Sequence, residues 1–531
     1  MSFVSFQFAA FVAFCLIIYY IFPKKYRYLV LLAASYAFYL AACGGYIVYI
    51  ILTTITTYSA GRIMGGFQEE CEKRLSDPAL KSDREKKKAL KASYHNKDKI
   101  VMTVCLVFNF GILVVLKYSS FVIANINLAK LTFFHSIDFI RIPSWVLPLG
   151  LSFYTFQSMG YVIDLFYHRI KAERNPLKLA LFVSFFPQIV QGPIGRYGEL
   201  ADTLYGGGSF DRENIIQGGL FIVSGLFKKL IIADRLSDYI TNSMNLYEST
   251  SGGCLLLALF LYSFQLYADF SGGIDIASGV AYCFGVRLKA NFMRPFFSGS
   301  VREYWRRWHI SLADWFRDFM FYPIAVSKTM MKQGKWIEKH VNGFLGKRYT
   351  LYVATAIVWF TTGLWHGAEW RYVVWGLLNG FIMCFSAELE PVYGFLNGKI
   401  GWKDDGLLHK VFAAFRTFWL ITFLRLFDLS TKGMGQAGAV FARIFTEFGR
   451  VDINSIEALG LPAKELKIAL IGCLILMLTE VLQEKESVYL RLKRLPEAAT
   501  WIFFVISISF VVIFGYYGMG YDASDFIYMQ F

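Results

Sequence analysis

The sequence predicts an all-α, polytopic membrane protein. Three observations carry that prediction: many long apolar runs, a low charge content, and basic residues concentrated in the short segments between the runs. Of the 531 residues 56% are hydrophobic and 18% charged, against roughly 25% charged in soluble domains, and the mean hydropathy is +0.44. Because several runs reach the ~18–20 residues that cross a bilayer core, length sets no count of soluble domains. The reading is one membrane domain over residues 1–531.

Taken in order, the first run, 3–22, is followed by Pro23, Lys24 and Lys25 with no small-residue cleavage site, so it reads as a retained span. Further runs lie at about 28–42, 44–60, 100–117, 147–166, 217–234, 253–269, 271–286, 350–364, 371–388, 411–428, 467–483 and 499–517. The segments "PKKYR" (23–27), 69–99 and "RLKRLP" (491–496) are basic, which puts all three on the cytoplasmic side, both termini outside, and the segment 429–466 outside as well. That geometry needs an even number of full crossings, roughly ten to twelve, with the other runs re-entrant or interfacial. The run 177–190 is short and ends in "FFPQIVQGPIGR", where Pro187, Gly192, Pro193 and Gly195 interrupt a helix. Such backbone persists at membrane depth only when covered by protein or lining a cavity. The mixed-charge segment 69–99 reads as a solvated cytoplasmic helix or hairpin, with a docking surface for a soluble partner as the rival account.

The net charge of +15 does not indicate nucleic-acid binding, since the Lys and Arg sit in short loops and no basic groove or stacking module is present. The eight cysteines lie singly and none forms a CxxC pair, which gives no support to structural zinc or a disulfide framework.

Ionisable residues inside apolar segments are costly and tend to be functional. One cluster runs from Gln265 to Tyr322. In it Asp269 and Asp275 bracket Ser271, Gly272 and Gly273, and "EYWRRWHISLADWFRDF" reads as an amphipathic helix bearing Arg306, Arg307 and His309 among tryptophans. An interfacial helix with snorkelling arginines and a paired charge network lining a polar cavity both fit it. The second cluster holds His366, at the end of the long apolar run 350–364, beside Trp365 and Gly367 with Glu369 and Arg371 beyond. A structural histidine is the plain alternative. Against it, the run reaches the membrane interior, Gly363 and Gly367 permit close approach of another group, and a neutral imidazole is a competent general base. A zinc site would need three or four ligands, and only His309 and His366 lie in polar clusters, so no metal is expected. There is no G-x-S-x-G elbow, P-loop or dinucleotide fingerprint. A histidine can nevertheless drive acyl transfer by deprotonating an acceptor hydroxyl that attacks a thioester, with Trp, Asn or backbone N–H donors stabilising the oxyanion.

The stretches "LPLGLSFYTFQSMGYVID" (147–164), "FFPQIVQGPIGRY" (185–197), "QLYADFSG" (265–272), "NFMRPF" (291–296), "WRRWHISLADWFRD" (305–318) and "GLWHGAEWRYVVWGLLNG" (363–380) together resemble the membrane-bound O-acyltransferase family. The likeness is to its bacterial branch of alginate O-acetyltransferase-like and D-alanyl-transfer proteins, and it extends over most of the chain. It implies a membrane domain around a central funnel with His366 as the catalytic histidine and His309 as the second characteristic one. Asp269, Asn291, Arg294, Arg306, Arg307 and Trp365 would shape the funnel or hold the donor. No permanently bound cofactor is implied; the acyl donor would be acetyl-CoA or an acyl carrier thioester.

The ending "SDFIYMQF" (524–531) is similar to the C-terminal acyl-relay motif of the D-alanyl-transfer machinery, with Met529 where phenylalanine is commoner. By that likeness Tyr528 receives the acyl group and passes it to an extracytoplasmic serine-type acyltransferase. An aromatic tail that only anchors the terminus at the interface is the alternative. The resulting expectation is an O-acyltransferase in a bacterial inner membrane, moving acetyl onto a cell-surface polysaccharide or envelope polymer. D-alanyl transfer from an acyl carrier protein to teichoic acid is the near rival. A secondary transporter would show related halves, which the sequence lacks, and a scaffold would leave Asp269, His309 and His366 unexplained.

Overall fold

The computed structural model describes residues 2–78, 83–135, 137–401, 406–484, 486–518 and 526. Among these, regular structure is helical apart from one isolated antiparallel bridge between Phe292 and Trp308. A lipid surround favours this outcome because a helix satisfies its own N–H and C=O groups. Among the described residues six helices are long and apolar enough to cross a membrane, or seven when the pair Trp370–Glu388 and Glu390–Ile400, bent by 55°, counts as one span. The expected runs 350–364 and 467–483 lie within helices Gly343–His366 and Ala463–Gln483, and the run 147–166 is helical from Leu151 to Phe166. The protein is an all-α polytopic membrane protein.

Two expectations change. The runs 253–269 and 271–286 form one 32-residue helix, Gly252–Cys283, because the glycines between them serve a close helix crossing and do not break the backbone. The stretch 303–319 is not one amphipathic helix but two, Val301–Arg307 and Ile310–Phe316, the second running on through a π-helical turn, Arg317–Phe321. Between them Trp308 is extended and His309 is left-handed, with φ 49° and ψ 52°. A non-glycine residue there is uncommon and has to be held by its surroundings.

The chain forms two compact units, Met1–Gly218 with Ala277–Lys289, and Gly219–Ile276 with Ala290–Phe531. In the first, residues 69–75 and 84–99 lie in two helices. Ile47–Leu75 carries one side, and Arg84–Phe134 starts at Asp83, whose side chain accepts the Lys86 N–H at 3.0 Å as an N-cap. The "FFPQIVQGPIGR" stretch breaks as expected, with helices Pro176–Ser184 and Phe186–Gln191 followed by irregular backbone. Residues 179–194 are buried throughout. Side-chain amides satisfy this backbone: Gln188 donates to the Pro193 carbonyl at 2.5 Å and Gln157 accepts the Gly195 N–H at 3.1 Å.

Helix Arg212–Phe227, part of the second unit from Gly219 on, continues through a π-helical turn, Lys228–Ala233, into Asp234–Asn245. Near that turn it meets Gly252–Cys283 backbone to backbone. A Cβ on Gly225 would lie 2.5 Å from the Gly272 carbonyl, and one on Gly272 3.0 Å from the Gly225 carbonyl. This close approach sets two adjacent lysines against the two aspartates six residues apart on the partner helix. A second tight pair, Gly343–His366 and Trp370–Glu388, is joined by residues 367–369. There a Cβ on Gly376 would strike the Trp359 carbonyl at 2.3 Å and one on Gly363 the Tyr372 carbonyl at 2.4 Å. The close approach expected at Gly363 and Gly367 is thus made by the following helix, since a Cβ on Gly367 would meet the Tyr372 ring at 2.3 Å.

Candidate active site

His366 is the last residue of helix Gly343–His366 and is half-buried. The turn after it is clamped by Arg371, whose guanidinium donates to both Glu369 oxygens at 2.8 and 2.9 Å and to the Asp428 carbonyl at 2.9 Å. Aromatic rings fix the imidazole from several directions. Trp375 meets it edge-on at 4.8 Å, Trp365 edge-on at 5.0 Å, and Tyr372 lies roughly parallel at 6.5 Å. Trp375 in turn packs on Trp305 at 5.5 Å, and the Trp305 indole N–H donates to Asn379 at 3.0 Å. The Val301–Arg307 helix is thereby held to the helix that supports His366.

His309 follows that short helix after the extended Trp308. It is 3% exposed, and its ring contacts Phe270 at 4.9 Å and Trp365 at 5.7 Å. The two imidazoles therefore flank one indole. Burial pushes the His309 pKa down to about 3, so the ring is neutral at physiological pH. Its tautomer follows from Asn291. The Asn291 side-chain oxygen accepts the Ser311 N–H at 2.8 Å, which turns the NH2 group toward His309 Nδ1, 3.3 Å away. A nitrogen facing a donor must be the acceptor, so the single ring proton resides on Nε2. The Asn291 carbonyl also accepts the Ile310 N–H at 3.0 Å, which holds the left-handed turn.

The remaining sequence candidates divide. Trp365 and Asn291 join the two histidines. Arg294, itself left-handed at φ 51°, is ion-paired to Glu484 at 2.7 Å and donates to the Gln483 carbonyl at 2.6 Å. Arg307 is paired to Glu303 at 2.6 Å and donates to the Arg294 carbonyl at 3.3 Å. Both arginines therefore brace the loop that carries Asn291. Arg306 points to the surface and is exposed. Asp269 is buried and holds Lys229, not a residue near the imidazoles, at 2.7 Å. Tyr528 lies outside the described residues.

Several contributors escape the sequence reading. Lys229, 0% exposed, bridges Asp269 and Asp234, the latter at 2.8 Å, while Lys228 pairs with Asp275 at 2.7 Å. Their signal is the pair of adjacent lysines inside the apolar run 217–234. Arg425, also buried, donates to the Tyr304 hydroxyl at 2.8 Å and lies 4.4 Å over the Trp308 ring, fixing the residue before His309. Trp375 and Phe270 carry no separate signal, being aromatic residues among many. No cluster of three or more His, Cys, Asp or Glu that could hold a metal occurs among the described residues.

Residues 166–427 match the model of the MBOAT, membrane-bound O-acyltransferase family. The chain is 29% identical over 399 residues to "probable alginate O-acetylase AlgI" of Azotobacter vinelandii, covering 72% of this chain and 70% of the relative. It is 30% identical over 349 residues to a "peptidoglycan O-acetyltransferase" of Helicobacter pylori, covering 60% and 58%. To a "teichoic acid D-alanyltransferase" of Bacillus subtilis it is 29% identical over 282 residues, covering 52% and 67%. His309, His366 and every aromatic ring placed around them fall within the matched residues. The chain carries a membrane-bound O-acyltransferase family domain and is an acyltransferase.

Proposed function

We propose that this protein moves an acetyl group from a cytoplasmic thioester, acetyl-CoA or an acyl carrier thioester, toward O-acetylation of a cell-surface polysaccharide. His366 acts as general base. The observation that carries this reading is the pair of imidazoles on either side of Trp365, one half-buried and approachable, the other buried, neutral and held as an Nε2–H donor. The acceptor hydroxyl gives its proton to His366 as its oxygen attacks the thioester carbonyl. The tetrahedral oxyanion accepts a hydrogen bond from His309 Nε2–H, and collapse breaks the C–S bond, the leaving thiolate taking the proton back from His366. The imidazolium formed in passing sits at a helix C-terminus, where positive charge is favoured by ~0.3–1 kcal/mol.

Tyr528 is the first acceptor in this reading and passes the acetyl group to an extracytoplasmic serine-type acyltransferase. The chain resides in a bacterial inner membrane with both termini outside. The alginate and peptidoglycan O-acetylating relatives support acetyl as the group moved. The Bacillus subtilis relative favours a second reading, D-alanyl transfer from a carrier protein, which the exposed Lys86 and Lys88 would help to dock. Mass spectrometry of surface polymers from cells with and without the gene distinguishes them. Loss of acetyl increments supports the first reading, and loss of alanyl increments alone overturns it.

Asn291→Leu tests the donor role of His309. With no amide to fix the ring, the Nε2–H form is no longer enforced, and transfer per inserted molecule is expected to fall by about 10- to 100-fold, toward the ~10²–10³ that loss of an oxyanion donor costs. Rates in membranes matched for protein content check this.

A further inference from the structure

Arg425 follows helix Leu407–Leu424 and is 3% exposed. Its guanidinium donates to the Tyr304 hydroxyl at 2.8 Å, meets the Asp428 carboxylate at 3.3 Å, and lies 4.4 Å from the centre of the Trp308 ring. Trp308 stacks on Tyr304 at 5.6 Å and immediately precedes His309. Asp428 is gripped twice, because its carboxylate takes Arg425 while its carbonyl takes the Arg371 guanidinium at 2.9 Å. Arg371 in turn holds Glu369, three residues after His366. Arg425 thus stands where two lines of contact meet, one ending at the residue before His309 and the other in the turn after His366. A buried ion pair adds little stability over apolar residues of similar volume. A planar fork of five donors, by contrast, fixes several groups at set angles, which an ammonium cannot do.

We propose that Arg425 is a positioning residue for both imidazoles: it holds Trp308, and with it the left-handed turn at His309, and through Asp428 and Arg371 it holds the turn that follows His366. This rests on the reading that the two imidazoles act on one acyl-transfer step. In that step the base works on the attacking hydroxyl and the donor on the carbonyl oxygen of the same thioester, so the placement of one ring relative to the other sets the rate. A misplacement of ~1 Å by a residue remote from the chemistry costs about 10²-fold. Arg425 acts through Trp308 and Arg371, so its loss falls on kcat and leaves KM for the thioester nearly unchanged.

The test uses the full-length protein in detergent, supplied with an acetyl thioester, and compares Arg425→Lys, Arg425→Met and the double change Arg425→Met, Asp428→Asn. Thermal midpoint, and kcat and KM per folded molecule, are the readouts. Arg425→Lys keeps the charge without the fork and is expected to lose roughly 10- to 100-fold in kcat, with KM within about twofold. Arg425→Met strips the Asp428 carboxylate of its Arg425 partner, so midpoint and kcat are expected to fall together. The double change removes both charges and leaves the Asp428 carbonyl for Arg371. It is expected to regain the midpoint while kcat stays down by roughly 10- to 100-fold, a split that a purely structural role does not produce. A double variant that regains kcat along with the midpoint, or an Arg425→Lys protein within about twofold of the unsubstituted kcat, overturns the positioning role and leaves the two-imidazole reading standing. His309→Ala is measured alongside, and its turnover at the unsubstituted rate overturns that reading and the positioning role with it.

Discussion

His366→Ala is expected to lower acyl transfer by about 10²- to 10⁴-fold, the range general-base catalysis supplies, while the protein inserts and accumulates near its normal level. The second half of that expectation follows from what holds the helix end in place. The Gly363 and Gly376 approach and the Arg371 clamp on Glu369 and Asp428 are backbone and side-chain contacts that do not involve the imidazole. Truncating a half-buried ring at the helix terminus removes some packing on Trp365 and Trp375 but no buried charge. O-acyl content of the surface polymer, normalised to the amount of protein in the membrane, separates lost chemistry from lost protein. His366→Gln retains polarity without a titratable base and is expected to fall in the same range.

Lys229→Ala is expected to have the opposite profile, a collapse of stability. The substitution leaves Asp234 and Asp269, 2% exposed each, buried without the ammonium that both of them bind. Breaking one partner out of a buried ionic group costs ~3–5 kcal/mol, a large part of the margin by which a protein is stable. The thermal midpoint of the detergent-solubilised protein should drop sharply, and yield with it. The triple change Lys229→Met, Asp234→Asn, Asp269→Asn removes all three charges together and is expected to recover much of the midpoint, because a neutral cluster of similar volume avoids the desolvation cost. An unchanged midpoint in Lys229→Ala would show that the triad does not support the fold.

Hydropathy made the fold class readable, because a chain in lipid has few alternatives to helices. It also made the broken segment after Phe185 readable, since prolines and glycines act locally. Glycine is ambiguous by the same local logic. Gly272 looks like a break between two runs, and only the crossing with Gly225 reveals that its missing Cβ serves packing within one continuous helix. The left-handed residue at His309 was likewise invisible, because what enforces it is Asn291, eighteen residues earlier. Polarity in an apolar context singled out Asp269, His309 and His366. It could not tell which polar residue meets which: Asp269 faces Lys229 through a helix crossing, Arg294 and Arg307 turn to Glu484 and Glu303, and the histidines meet across Trp365. Partner choice lies in tertiary geometry, which residue type and spacing do not encode.

Thiol release by the purified protein in proteoliposomes supplied with an acetyl thioester, compared among the unsubstituted chain, His309→Ala, His366→Ala and the double variant, tests most directly whether two imidazoles act on one acyl-transfer step. Residues that act as a unit are strongly non-additive. The double variant should therefore be about as slow as His366→Ala alone, with His309→Ala down by roughly 10²–10³. Release from His366→Ala within about twofold of the unsubstituted chain, a gap under ~0.5 kcal/mol of barrier, would contradict the account.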